Sequence, residues 1–148
     1  MVVMDAVDQQ IVALMRENAR RSYQDIGRHV ALTAPAVKRR VDRLEAAGVI
    51  RGYTALVDPA MVGWPTHAIV SLVCEGRMSG TEVSAAVSGH PEVTGAYTVA
   101  GEAAAVLHVR AQDTAHLEET LERLREAPGV IRTHTQVVLS TLLERPVT

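Results

Sequence analysis

Residues 23–50 read YQDIGRHVALTAPAVKRRVDRLEAAGVI, and how this stretch divides decides the fold. Tyr23 to Val30 has the spacing of a short helix burying Ile26 and Val30. Ser22 is placed to cap it through its hydroxyl, with Asp25 three residues on as an analogue of a capping box. Ala31 and Leu32 form a tight break, and the apolar Leu32 is expected to plug the gap between helices. Thr33 is the N-cap candidate of a second, longer helix. Pro35 falls in that helix's first turn, where a missing N–H costs no intrahelical bond. Val37, Val41 and Leu44 recur on one side while Lys38, Arg39 and Arg43 project elsewhere, and Gly48 ends the helix in a left-handed conformation. Two helices across a sharp turn, the second apolar on one flank and basic on the other, make a helix-turn-helix pattern whose second helix suits a DNA major groove. A solvated charged face uses the same residue types; the turn, the cap, Pro35 and Gly48 favour the nucleic-acid reading.

Outward from this core, Val7, Ile11, Leu14 and Met15 place a first helix over Asp5–Glu17, with Asp5 or Asp8 at its positive end. Val49 to Val57, carrying Ile50, Tyr53, Leu56 and Val57, reads as a strand. Such a strand suits a small wing or pairs with its counterpart in a second subunit. Asp58, Pro59 and the Gly63-Trp64-Pro65 break follow. The expected division is a winged helix-turn-helix over residues 1–50, a connecting strand and hinge over 51–65, and a second domain over 66–148. Trp64 reads as a hinge or interface anchor, or as a buried linker aromatic without special function.

The second domain alternates elements in a regular order. Residues 66–75, THAIVSLVCE, form a strand, and Ser79–Ser88 a short helix with Val83 and Val87 inward. Glu92–Val99 and Ala103–Val109 give two more strands, and Asp113–Glu126 an amphipathic helix burying Leu117, Leu121 and Leu124. Pro128 and Gly129 stop that helix, and Ile131–Leu143 is expected as a long final strand. The chain is therefore α+β, its second domain a ferredoxin-like βαββαβ unit with four antiparallel strands and two helices on one face. The strands carry Val, Ile, Leu and Ala at both parities, so the uncovered face is expected to meet another sheet. Homodimerisation does this and sets two recognition helices about one two-fold axis, matching a pseudopalindromic site.

Composition bounds the function. With 148 residues, 47% of them hydrophobic, the chain can bury a real core, but no Phe and one Trp leave little aromatic surface for stacking bases, which disfavours single-stranded nucleic acid. Net charge is −2, yet residues 1–60 carry nine Lys or Arg against seven Asp or Glu, and residues 61–148 six against ten. A basic first part suits phosphate contacts, which need a local positive field, although chance variation on two solvated surfaces gives the same split. The lone Cys74 excludes an internal disulfide and suits a reducing compartment. No secretory leader or membrane span is evident, so the expected location is cytoplasmic and nucleoid-associated, without a membrane partner.

The phosphate candidates are Lys38, Arg39 and Arg43, with Arg20, Arg21, Arg28 and Arg51 on flanking backbone. Thr33, Ala34, Pro35 and Ala36, at the start of the helix, and Lys38 as an alternative to its phosphate role, are better placed to meet base edges, Ala and Pro through thymine methyls and Thr or Lys through a polar contact. His29, His67, His90, His108, His116 and His134 lack the spacing of a zinc site, so no metal is expected, although His108 and His134 lie in strands from which they could approach one another. There is no Gly-rich phosphate loop, and Ser79, Ser84 and Ser88 have no base and orienter. Neither an enzyme nor a cofactor is expected.

The whole chain resembles the Lrp/AsnC family of bacterial and archaeal regulators. MDAVDQQIVALMRENARRSYQDIGRHVALTAPAVKRRVDRLEAAGVIRGYTALVDPAMVG looks like that family's winged helix-turn-helix and connecting strand. Its distinctive points are Asp8, Ile11, Leu14, Asn18, Arg20, Ser22, Leu32, Val37, Arg40, Leu44, Glu45, Gly48, Ile50, Tyr53 and Gly63. Gly101, and PGVIRTHTQVVL at 128–139, are similar to the regulatory domain's loop and closing strand. The resemblance implies a sequence-specific regulator of double-stranded DNA, with homodimers assembling to tetramers or octamers. It also implies an amino-acid or related effector bound between regulatory domains. The loop implied for that cleft is Val99, Ala100, Gly101, Glu102, Ala103 and Ala104, with Thr133 and Thr135 facing it and backbone N–H groups near Gly101 suited to a carboxylate. Two departures stand out: Ala104 where the family usually has Asp, which removes an acceptor for an effector's ammonium, and Ile26-Gly27 where it usually has Leu-Ala. The alternatives are an architectural DNA-organising protein with a vestigial cleft, or an oligomeric small-molecule-binding module.

Overall fold

The computed structural model describes residues 3–76 and 78–144. Helices α1 (Ala6–Glu17), α2 (Tyr23–Val30) and α3 (Ala34–Ala46) build one compact unit that runs up to Leu56, and a second unit spans Val57–Glu144.

The helices of the first unit begin where the sequence supplies caps. The Asp5 carboxylate accepts the Asp8 N–H at 2.8 Å while Asp8 accepts the Asp5 N–H at 3.2 Å, a reciprocal capping box. Ser22 Oγ accepts the Asp25 N–H at 3.1 Å. Thr33 occupies the N-cap of α3 with no side-chain bond. Ile11, Ile26, Val37, Val41 and Leu44 are fully buried, and half-buried Leu32 packs against this core from the turn. Ala31 takes the left-handed conformation at φ 55°, which lets α3 leave α2 at a sharp angle. The Asp8 side chain is also fully buried. A buried carboxylate is stable only when paired, and Arg40 donates to it at 2.8 Å, joined by Arg43.

Residues 49–57 pair with no strand within the chain, so the first unit has no wing of its own; the other expectation, pairing with the counterpart in a second subunit, needs a second copy. Ile50 instead packs half-buried against the three helices, and the Tyr53 hydroxyl donates to Glu45 at 2.7 Å. A strand needs a neighbour's backbone, and the unit offers none there.

In the second unit a 3₁₀ turn, Pro59–Val62, precedes β1 (Thr66–Cys74), α4 (Gly80–Val87), β2 (Val93–Thr98), β3 (Ala105–Ala111), α5 (Thr114–Arg125) and β4 (Val130–Val137). The strands pair antiparallel in the order β2-β3-β1-β4. Ala68, Val70 and Leu72 of β1 and Ala105, Leu107, Val109 and Ala111 of β3 point to one face, where Val83, Val87, Leu117 and Leu124 of the helices close the core. β4 ends at Val137 rather than Leu143. The Val138 N–H still reaches the His67 carbonyl at 2.8 Å, but β1 begins at Thr66 and offers no further partner, leaving Leu139 and Leu142 exposed.

The other face is less apolar than the sequence suggested. Ile69, Val73, Val106 and Tyr97 share it with His67, His108, Arg110, Arg132, His134 and Gln136, as the strand registers require. His108 and His134 are not partners, because β1 lies between their strands. The ring of His108 stands 5.6 Å from His67 and 5.8 Å from Tyr97.

Before β2, Glu92 is buried and its Oε1 accepts from His116 Nε2 at 3.0 Å and from Arg123 at 2.5 Å. The Gln112 N–H donates to His116 Nδ1 at 3.3 Å, which selects the tautomer that donates from Nε2. Half-buried Trp64 packs tilted on His116, 5.7 Å between ring centres, so the segment leading into β1 is anchored on α5.

Candidate nucleic-acid interface and effector pocket

The start of α3 presents the residues expected to meet bases. Thr33 and Pro35 are exposed and Ala34 and Ala36 half-buried. Ala31, Leu32, Thr33 and Ala34 line a concavity of about 480 Å³ together with Gln24, Gly27 and Arg28 from α2. Gln24 was missed by sequence reading. The signal was there, since Gln24, Gly27, Arg28 and Ala31 recur at i, i+3, i+4 and i+7, one face of α2 that meets the start of α3.

The basic residues are not equivalent. Arg39 is exposed and, among the described residues, makes no ion pair. Lys38 donates to Asp42 at 2.6 Å, and that hydrogen bond raises its pKa. Arg43 is half-exposed but bonded to buried Asp8. Arg40 joins Asp5 at 2.7 Å and Asp8, and its hydrogen bond holds the Asp5 carboxyl below the usual carboxylate range. Arg21 bridges Glu17 at 2.6 Å and Asp25 at 2.8 Å, tying α1 to α2, so its guanidinium is committed inside the unit. Arg20, Arg28 and Arg51 are exposed. The field at this surface thus comes from few uncommitted cations, with Arg39 on the recognition helix itself.

In the second unit the six loop residues Val99, Ala100, Gly101, Glu102, Ala103 and Ala104 line one concavity of about 330 Å³ with Cys74, Met78 and Thr98. Gly101 sits at φ 144°, a conformation that favours glycine. The Ala104 N–H is occupied by the Leu72 carbonyl at 2.8 Å. Glu102 and Ala103 also border a second concavity of about 370 Å³ with Ser71, Val73, Arg132, Thr133 and His134. The Thr133 hydroxyl points away from it, because Thr133 pairs with Leu72 on the helix side and accepts from Arg125 Nε at 3.0 Å. Thr135 pairs with Val70 on that same side and reaches neither concavity. The side chains of β4 that face the second concavity are Arg132 and His134. Parity along β4 could have separated them from the threonines, but only once the register against β1 was known.

Comparison with known proteins follows the same division. Residues 4–45 match the AsnC-type helix-turn-helix domain and residues 67–148 match the Lrp/AsnC ligand binding domain. The chain belongs to the Lrp/AsnC family. It is 46% identical to the HTH-type transcriptional regulator Rv2324 of Mycobacterium tuberculosis over 96% of each chain. Its fold is similar to the feast or famine regulatory protein Rv3291c of M. tuberculosis, solved with L-methionine, at TM-score 0.90 and 30% identity over 99% of both chains. It is also similar to the Neisseria meningitidis regulator NMB0573, solved with L-methionine, at TM-score 0.86 and 26% identity over 96% and 94% of the two chains. The protein is accordingly a DNA-binding transcriptional regulator of this family with an effector-binding domain. Among the described residues no helix is long and apolar enough to cross a membrane, and no group of three or more His, Cys, Asp or Glu could hold a metal ion.

Proposed function

We propose that this Lrp/AsnC regulator reads a two-fold symmetric duplex operator and is tuned by a free amino acid or a close relative of one. Two L-methionine complexes among its structural neighbours support the ligand class. The observation that carries the reading is the loop Val99–Ala104, every residue of which lines one concavity of ligand size. On the DNA side Thr33, Ala34, Pro35 and Ala36 read base edges, Arg39 docks on phosphate, and Arg20, Arg28 and Arg51 meet flanking backbone. The outer sheet face, with Ile69, Val73, Val106 and Tyr97, packs against a second copy, and dimers assemble further in a cytoplasmic, nucleoid-associated form. Effector and DNA then influence each other through a coupling free energy of about 1–3 kcal/mol.

An architectural role with a vestigial cleft is favoured by one observation: half-buried Ala104 offers no polar side chain and its N–H is taken. Selection of bound genomic fragments with and without a panel of L-amino acids at fixed salt decides between the two. Enriched two-fold sites whose occupancy changes with an amino acid support the regulator. Uniform binding to every duplex, indifferent to all amino acids, rejects it.

A further inference from the structure

We propose that Lys38 and Asp42 read one G·C base pair as a unit, Lys38 donating to guanine O6 and N7 and Asp42 accepting from the cytosine N4 amino group. This rests on the reading that α3 meets the base edges of duplex DNA. It goes beyond that reading by assigning Lys38 to a base rather than to phosphate, and by giving the Asp42 carboxylate a partner.

Val37, Val41 and Leu44 turn inward on α3, and Pro35, Lys38, Arg39 and Asp42 stand exposed away from them at i, i+3, i+4 and i+7, one stripe along the helix. A carboxylate in a stripe that meets DNA is repelled by the phosphates, and the Asp42 side chain is 50% exposed, so nothing shields it. Two base-edge donors in the major groove can satisfy it, the amino groups of cytosine and of adenine. Lys38 decides between them. Its Nζ donates to Asp42 Oδ2 at 2.6 Å, and among the described residues Asp42 Oδ1 accepts no hydrogen bond. An ammonium has three N–H groups, so this bond leaves two, directed by the first. Guanine presents two adjacent acceptors, O6 and N7, whereas adenine presents N7 alone and thymine O4 alone. Two donors beside a free carboxylate oxygen therefore complement the acceptor, acceptor, donor row of a G·C pair and no row of an A·T pair. The residue type agrees, since Lys38 is the only lysine among the fifteen Lys and Arg residues of the chain. An arginine facing Asp42 would engage both carboxylate oxygens as a planar fork, leaving no free oxygen for cytosine; the lysine commits one donor and keeps two.

The test is selection of random-sequence duplexes by the full chain at fixed salt, followed by binding isotherms at several salt concentrations. The unmodified protein is expected to fix one G·C pair in each half-site and to lose affinity roughly tenfold or more when that pair becomes A·T. Lys38→Met removes the discrimination at that pair and leaves the other positions selective. Asp42→Ala blunts the same discrimination yet binds random duplex more tightly, because a negative charge has left the surface. Both side chains are exposed, and circular dichroism confirms that the variants fold. If Lys38→Met weakens every duplex alike and lowers the slope of log K against log salt by about 1, Lys38 is a phosphate contact, and the assignment is overturned while the regulator reading stands. Unchanged discrimination at that pair in either variant overturns the assignment too. No enriched sequence from the unmodified protein overturns the assignment and the operator reading together.

Discussion

A Cβ placed on Gly27 would lie 2.3 Å from the carbonyl oxygen of Leu32, whose own N–H donates to the Gly27 carbonyl at 2.9 Å. The turn is folded back so tightly on α2 that residue 27 has no room for a side chain. Gly27→Ala gains about 1 kcal/mol of helix propensity but forces the Leu32 backbone outward, an overpacking cost of about 1–3 kcal/mol. The net expectation is a loss of stability with weaker operator binding, because Leu32 leads directly into Thr33 and Ala34. Urea denaturation with a parallel DNA titration checks it; an unchanged or raised midpoint would count against the tight turn.

Four residues on, the chain does the opposite. Ala31 is the one non-glycine residue at positive φ among those described, and left-handed backbone costs an L-residue about 1–2 kcal/mol. Ala31→Gly relieves that strain while adding up to about 1 kcal/mol of unfolded-state entropy to be lost on folding. A small gain, of about 0.5 kcal/mol, is expected. A rise in the thermal midpoint of a degree or more is the readout, and a fall would show that the Ala31 methyl makes a compensating contact.

These two positions show what the sequence can and cannot disclose. The break after Val30, the cap at Ser22, and the buried stripe of Val37, Val41 and Leu44 follow from local spacing, and all are visible in the chain alone, whereas the choice of Asp5 over Asp8 as the cap of α1 is not. So is the βαββαβ order, because each element carries its own periodicity. Buried Asp8 is different. As a sequence feature it is an acidic residue in a first turn, and its pairing with Arg40 and Arg43 depends on how α1 crosses α3. Thr133 and Arg132 exchange roles for a related reason: a one-residue difference in register reverses which of them faces the concavity. The shortened β4, and the absence of a strand over 49–57 within one chain, mark the same limit, since strand propensity without a neighbouring backbone yields only extended chain.

The inequality of Arg39 and Arg43 makes a sharper experiment than charge removal in general. Arg39→Gln should leave stability within about 0.5 kcal/mol, weaken binding to all duplexes, and lower the slope of log K against log salt by about 1. Arg43→Gln takes one partner from buried Asp8, and Arg40 remains, so a stability loss of about 1 kcal/mol should accompany a smaller change in salt slope. Binding isotherms at several salt concentrations, paired with chemical denaturation, separate the two. Equal slopes and equal stabilities would mean that the Asp8 contact does not restrain Arg43.

Acid should unfold the second unit through Glu92. Burial pushes its carboxyl up, but the hydrogen bonds from Arg123, the backbone and His116 outweigh that and hold it down at about 2, against 4.5 for the free side chain. A carboxyl whose pKa is lower folded than unfolded stabilises the fold above the unfolded value, and that contribution is lost as pH falls through the folded one. The stability attributable to Glu92 should therefore be complete above about pH 5 and decline between pH 4.5 and 2. Glu92→Gln keeps the shape but removes the charge that Arg123 and His116 serve, so it should cost about 2–3 kcal/mol near neutrality and flatten the acid limb. Trp64 provides the readout, since its indole rests on His116 and its fluorescence should report release of the segment before β1. If the Gln variant keeps the same acid transition as the parent, the acid sensitivity lies with other carboxylates and Glu92 has no part in it.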